Sequence, residues 1–353
     1  MTANQNILND AVEFQSRLTE GMKVLSGLGE IKVGTTPKDK IYEAGSMALS
    51  RYRPLTEQQQ NSPPILIVYA LVNRPYIVDL HEKRSLVRGL LNRGQNVYLI
   101  DWGYPGPADR YLDLSHYVED KIGQCAAETL RHANASKVNL LGICQGGVMS
   151  LCYAALNPDQ VDNLITMVTP VDFHTPENIL AKWFRNVDVD LLVDTMGNVP
   201  GVMLNSIFLS LKPFKLGVEK YLDFIEIVDQ KDKVENFMRM EKWIFDSPDQ
   251  AGAMFRTFLK EFFHENRLVT GGLSIAGRSV DLKSIKSPIL NLMASEDHLV
   301  PPSSSVALKY LTGSRDYSEK IYDTGHIGIY VSGKAGGDIP VRITEWLNER
   351  QSG

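Results

Sequence analysis

In the stretch Gly142-Ile143-Cys144-Gln145-Gly146 a cysteine stands two residues after one glycine and two before another, and Gly147 doubles the second. The apolar run KVNLLGI (137–143) leads in and the helix-like GVMSLCYAALN leads out. Strand, sharp turn and helix form the setting in which G-x-nucleophile-x-G makes a nucleophile elbow, with the reactive atom held at the top of a sheet. A helix N-terminus favours negative charge, so a thiol placed there is poised to react as thiolate. The bland reading of any free cysteine is a buried, inert thiol. It suits Cys125 and Cys152, which lie in helical patterns without an elbow; for Cys144 the context favours the nucleophile.

A thiolate nucleophile needs a base and a group to orient it. Behind an elbow these follow in chain order, acid then histidine, at the ends of later strands. ILNLMASEDHLVPP places Glu296, Asp297 and His298 after an apolar run, and EKIYDTGHIGIY places His326 between glycines after the last such run. The other histidines, His81, His116, His132, His174 and His264, fall elsewhere. His298 is an alternative base, but its neighbour Asp297 is better placed as the acid, so the expected set is Cys144, Asp297 and His326. The backbone N–H groups of Gln145 and of Val72, in the loop after ILIVYA (65–70), are the expected oxyanion donors.

Those groups need strands to carry them. ILIVYA, NVYLID (96–101), KVNLLGI, NLITMV (163–168), ILNLMA (289–294) and EKIYDT (319–324) are short apolar runs of the kind buried on both faces of a parallel sheet. Helical patterns such as DLSHYVEDKIGQCAAETLRHA (113–133) alternate with them, which implies an α/β domain. KIYEAGSMALSRYRP (40–54) reads as an early strand pair and TEQQQNSPP (56–64) as a linker. The rhythm breaks between about 172 and 280, a stretch rich in Phe, Met and Trp with no clear strand. There a helix is expected over 247–266, with Ser247 as N-cap, Pro248 at its first position, Gln250 at the capping-box position, and Ala251, Phe255, Phe258 and Phe262 on one face. The expected architecture is an α/β-hydrolase fold, a mostly parallel sheet with flanking helices and an inserted helical lid. Residues 1–60 form an N-terminal helix and early strands, 61–171 and 281–353 the core, and 172–280 the lid. Ile7, Ala11, Phe14, Leu18, Met22 and Leu25 make one helical stripe, either packed at home or offered to a partner.

A net charge of −5 gives no global positive field, so no nucleic acid is expected as a partner. Arg185, Lys212 and Lys215 are candidate local cations for an anionic substrate, or plain surface. No basic n-region precedes an apolar run, and no run reaches the roughly 18 apolar residues of a transmembrane helix. Three cysteines make neither a disulfide framework nor a metal site, which fits a reducing compartment. No phosphate-binding, dinucleotide or H-E-x-x-H motif calls for a cofactor or metal.

GICQGG (142–147), PPILIVYALVNRPYIVDL (63–80), GRSVDLKSIKSPILNLMASEDHLVPP (277–302) and TGHIGIYVSG (324–333) together resemble the polyhydroxyalkanoate synthases, in the same order. The chain length, GICQGG and RMEKWIFDSPDQAG (239–252) are similar to the class III catalytic subunit. The likeness runs from about residue 35 to the end and is weakest over the first 30. It implies polymerisation of (R)-3-hydroxyacyl-CoA, chiefly 3-hydroxybutyryl-CoA, into polyester through an acyl-cysteine. Coenzyme A is then part of the substrate and a product, not a cofactor. It further implies a second, non-catalytic subunit, a homo- or hetero-oligomer, and a cytoplasmic location on polymer granules. Two other readings share these residues: a cysteine hydrolase of the same fold (thioesterase or lactone hydrolase), and a catalytically dead granule scaffold.

Overall fold

The computed structural model describes residues 24, 27–57, 63–214, 219–333 and 335–351. The helical stripe expected near the N-terminus and Lys215 lie outside them. Among the described residues the main sheet has eight strands: β1 (Lys38–Ala44), β2 (Met47–Tyr52), β3 (Ile65–Val68), β4 (Val97–Asp101), β5 (Val138–Ile143), β6 (Val161–Met167), β7 (Ile289–Ala294) and β8 (Tyr317–Tyr322). Their spatial order is β1-β2-β4-β3-β5-β6-β7-β8. β1 and β2 pair antiparallel, as do β2 and β4, and every pair beyond is parallel. All the residues of β3, β5 and β7 are buried, because helices cover both faces.

Alternation along each strand sorts the core into two layers. Leu66, Val68 and Leu140 face one side, toward α2 (Gly123–Ala133) and α3 (Gln145–Leu156), where Cys125 and Cys152 are buried. Ile65, Ile67, Leu141 and Ile143 face the other, toward α1 (Leu86–Leu91) and the C-terminal helix 335–351, which contributes Ile339, Trp346 and Leu347. The expected helix over 113–133 is present, with its first two turns widened into π geometry over His116–Ile122.

Between β6 and β7 the chain leaves the sheet and forms α4 (Ile179–Phe184), α5 (Val189–Met196), α6 (Gly201–Ser210), α7 (Lys220–Ile225), α8 (Lys231–Phe245) and α9 (Gly252–Phe258), the last continuing as a wide turn to His264. The helix expected to start at Ser247 instead starts at Gly252, with Ala251 as N-cap. Residues 247–250 lie outside any helix and are tied elsewhere: Val199 and Gln250 exchange both backbone hydrogen bonds at 2.9 Å, and Gly201 N–H donates to Asp249 Oδ1 at 3.0 Å. A cap is worth about 1 kcal/mol, and several tertiary hydrogen bonds of similar size outweigh it. Ala251, Phe255, Phe258 and Phe262 are nevertheless all buried, as their spacing requires. A second departure is a short antiparallel pair, Ser274–Ile275 with Arg278–Ser279, inside a stretch expected to be free of strands.

Candidate active site

β5 ends at Ile143 and α3 begins at Gln145, so Cys144 alone makes the turn, at φ +55° and ψ −123°. Such a backbone conformation is costly for a residue with a Cβ and persists only where the surroundings impose it. Here they do: Cys144 N–H donates to Met167 O at 2.9 Å, and Gly147 N–H and Val148 N–H donate to Cys144 O at 2.9 and 3.3 Å. The flanking glycines serve close approach rather than unusual dihedrals. A Cβ on Gly146 would run into the Val68 and Tyr69 carbonyls, and one on Gly147 into the Thr169 side chain. α3 can therefore start hard against the ends of β3 and β6, which leaves the Cys144 side chain half-buried at the strand ends.

Asp297 follows the end of β7. Its Oδ1 accepts hydrogen bonds from Leu299 N–H at 2.9 Å and Val300 N–H at 2.8 Å, and its Oδ2 lies 2.6 Å from His326 Nδ1. His326 follows β8 and lines the same cavity as Cys144. Burial of the imidazole opposes its charge. The Asp297 carboxylate and then the Cys144 sulfur outweigh burial and raise His326 from 6.5 to about 10. Burial pushes the Cys125 and Cys152 thiols up to about 12.

The structure thus brings Cys144, Asp297 and His326 together. His298 lines the cavity above them but is not the partner on Asp297 Oδ2. His116 is engaged with Asp113, His132 with Tyr98, and His174 and His264 with the Phe263 and Phe184 carbonyls. Gln145 and Val72 both line the same cavity. Gln145 is the first residue of α3, so its N–H has no acceptor one turn back. Leu71 N–H is taken up by Gln145 Oε1 at 3.1 Å, which leaves Val72 as the next amide of that loop.

The cavity has a volume of about 640 Å³. Its floor is Tyr69, Val72, Cys144, Gln145 and His326; its walls come from the inserted helices, including Phe184, Phe208, Met240, Trp243, Phe255 and Phe258. Lys212 also lines it, whereas Arg185 is exposed. Three neighbours of the chemistry are not among the expected site residues. Tyr69 and Tyr330, both buried, place their hydroxyls 3.2 Å apart near Cys144, and Trp243 closes the wall beside the Val72 loop. Only their contacts across long sequence separations mark them out.

The sequence matches the alpha/beta hydrolase fold model over residues 63–332 and the model of the poly-beta-hydroxybutyrate polymerase (PhaC) N-terminus over residues 4–90. The second match begins at residue 4, so the likeness to the family starts earlier than the expected residue 35. A poly(3-hydroxyalkanoate) polymerase subunit PhaC from Allochromatium vinosum is 54% identical, covering 98% of this chain and 97% of its own. Its counterpart from Thiocystis violacea is 50% identical, over 98% and 97%. In structure, a thermophilic esterase from Thermogutta terrifontis superposes with a TM-score of 0.50 at 18% identity, over 89% of this chain and 98% of the esterase. That likeness is one of fold alone.

Proposed function

This chain belongs to the class III poly(3-hydroxyalkanoate) polymerases and is an acyltransferase, and from that premise we propose that it polymerises (R)-3-hydroxyacyl-CoA, chiefly 3-hydroxybutyryl-CoA, through an acyl-Cys144 intermediate. One observation carries the reading. A cysteine at a positive-φ elbow and a histidine that is itself held by a buried carboxylate line one apolar cavity. The Cys144 thiolate attacks the thioester carbonyl, and the oxyanion is met by the Gln145 and Val72 N–H groups. Collapse breaks the carbon–sulfur bond to coenzyme A, whose thiolate takes the His326 proton. The acyl group now sits on Cys144 with its activation intact, since one thioester has replaced another. Neutral His326 then takes the proton of an incoming hydroxyl, on a second monomer or on the growing chain. That oxygen attacks the acyl carbon, the ester forms, and the Cys144 thiolate departs beside a restored imidazolium.

Asp297 has both oxygens occupied, one by His326 and one by two backbone amides. That arrangement favours a role in holding His326 over direct activation of the hydroxyl. The inserted helices, read as the lid over 172–280, supply a dry wall, and water excluded from the acyl-enzyme is what separates a polymerase from a thioesterase. The relatives are named as subunits. By analogy this chain works with a second, non-catalytic subunit on cytoplasmic polymer granules. Among the described residues no helix is long and apolar enough to cross a membrane. The test is incubation of purified protein with 3-hydroxybutyryl-CoA, with and without that subunit, measuring released thiol, polymer mass and acyl label on Cys144. Polymer and label are expected. Thiol release with free acid only would make the protein a hydrolase, and absence of label would make it a scaffold.

A further inference from the structure

The loop that carries Val72 has no secondary structure of its own, yet an oxyanion donor must be held to a fraction of an ångström. Its next residue, Asn73, sits at φ +61°, in the left-handed region that asparagine tolerates better than most side chains. Its side-chain amide donates to Trp243 O at 3.3 Å, to Ile244 O at 3.1 Å and to Ser247 Oγ at 2.7 Å. Trp243 and Ile244 lie in the last turn of α8, where carbonyls lack the usual partner one turn on and accept locally, Trp243 O from Asp246 N–H at 3.2 Å and Ile244 O from the Ser247 hydroxyl at 3.0 Å. The bond is reciprocated: Trp243 Nε1–H donates to Arg74 O at 2.8 Å. The helix end is itself fixed, because Asp246 accepts from the hydroxyls of Tyr76 at 3.0 Å and Tyr104 at 2.6 Å, and Trp243 is buried.

We propose that Asn73 is a positioning residue of the oxyanion hole: its amide ties the loop bearing the Val72 N–H to the end of α8, so that the inserted helices set the donor geometry of a site whose nucleophile and base belong to the core. Asn73 touches no reacting atom. The inference rests on Val72 and Gln145 acting as oxyanion donors in the reaction above.

The test compares two reactions of Cys144. Acylation by 3-hydroxybutyryl-CoA, or by p-nitrophenyl butyrate, passes through an oxyanion; alkylation by iodoacetamide does not. Asn73→Gly keeps the backbone conformation and removes the three hydrogen bonds. It is expected to slow acylation about 10- to 100-fold through kcat, with KM little changed, while the alkylation rate and its pH profile match those of wild type. Asn73→Asp, which turns a carboxylate toward the α8 carbonyls, is expected to lose more. Ser247→Ala removes a single acceptor, is mild enough to fold in any case, and is expected to give a smaller loss of the same kind. Equal losses of acylation and alkylation, or unchanged acylation in all three variants, would overturn the inference. Wild-type protein that alkylates but takes no acyl group from the thioester would instead overturn the proposed function.

Discussion

The sheet core and the inserted helices divide the work of the site in different ways. Every group proposed to exchange a proton or a bond stands at the end of a core strand: Cys144 after β5, Asp297 after β7 and His326 after β8. The insertion contributes apolar walls and the clasp on Asn73. The core groups are therefore fixed by parallel strands that end at one edge, where any ligand of an open α/β sheet binds. On the proposed function the insertion sets instead how much water and what shape of acyl group reach that edge. Core changes should accordingly alter whether the reaction runs, and changes in the insertion's apolar wall should alter what the acyl-enzyme turns into.

The largest effect expected is that of Cys144→Ala, which should reduce polymer formation and acyl labelling at least about 10⁴-fold. Cys125→Ala and Cys152→Ala should leave turnover nearly intact, since burial holds both thiols in the inert form. Polymer formation by Cys144→Ala would erase the distinction between elbow and core cysteines. Next comes His326→Ala, expected to lose about 10³- to 10⁴-fold in single-turnover acylation. If His298→Ala is the more damaging, the base has been misassigned.

Asp297→Asn should cost about 10²- to 10³-fold and should also move a titration. In the wild type the carboxylate raises His326 from 6.5 to about 10. A histidine raised on folding stabilises the fold fully below its unfolded pKa and loses that contribution as pH rises through its folded one. Wild-type stability should thus contain a component lost between about pH 6.5 and about pH 10. In Asp297→Asn the attraction is gone and burial pushes the imidazole down, so that component should shrink. Melting temperatures of the two proteins across this range, together with the His326 NMR titration, give the comparison; parallel profiles would contradict the assignment.

Phe208→Ala, a change in the insertion wall, should have the smallest effect. Acylation should fall less than about threefold, while free acid rises about two- to fivefold relative to polymer as water gains access to the acyl-enzyme. A large loss of acylation with an unchanged product ratio would mean that the wall serves the chemistry directly and that the contrast with the core is false.

How much of this could be read from residue order varies along the chain. β5, the elbow and α3 are legible because glycines at fixed offsets, an apolar run and a helical pattern meet within twenty residues. Asp297 and His326 are legible because the fold carries them at strand ends in a known order. The helix expected at Ser247 fails because a capping preference is local and weak, whereas the Val199–Gln250 pairing joins residues about fifty apart. The Tyr69–Tyr330 pair and the Asn73 clasp span still longer separations and use residue types that are common everywhere.

The sequence alone thus determined the position of the elbow and the strands that present it, since both rest on local spacing and on the period of burial. Tertiary structure alone decided that Cys144 adopts a positive φ while its glycines do not, and that α8 holds the Val72 loop. Each of these depends on which distant backbone comes within hydrogen-bonding reach, and no local pattern of side chains encodes that.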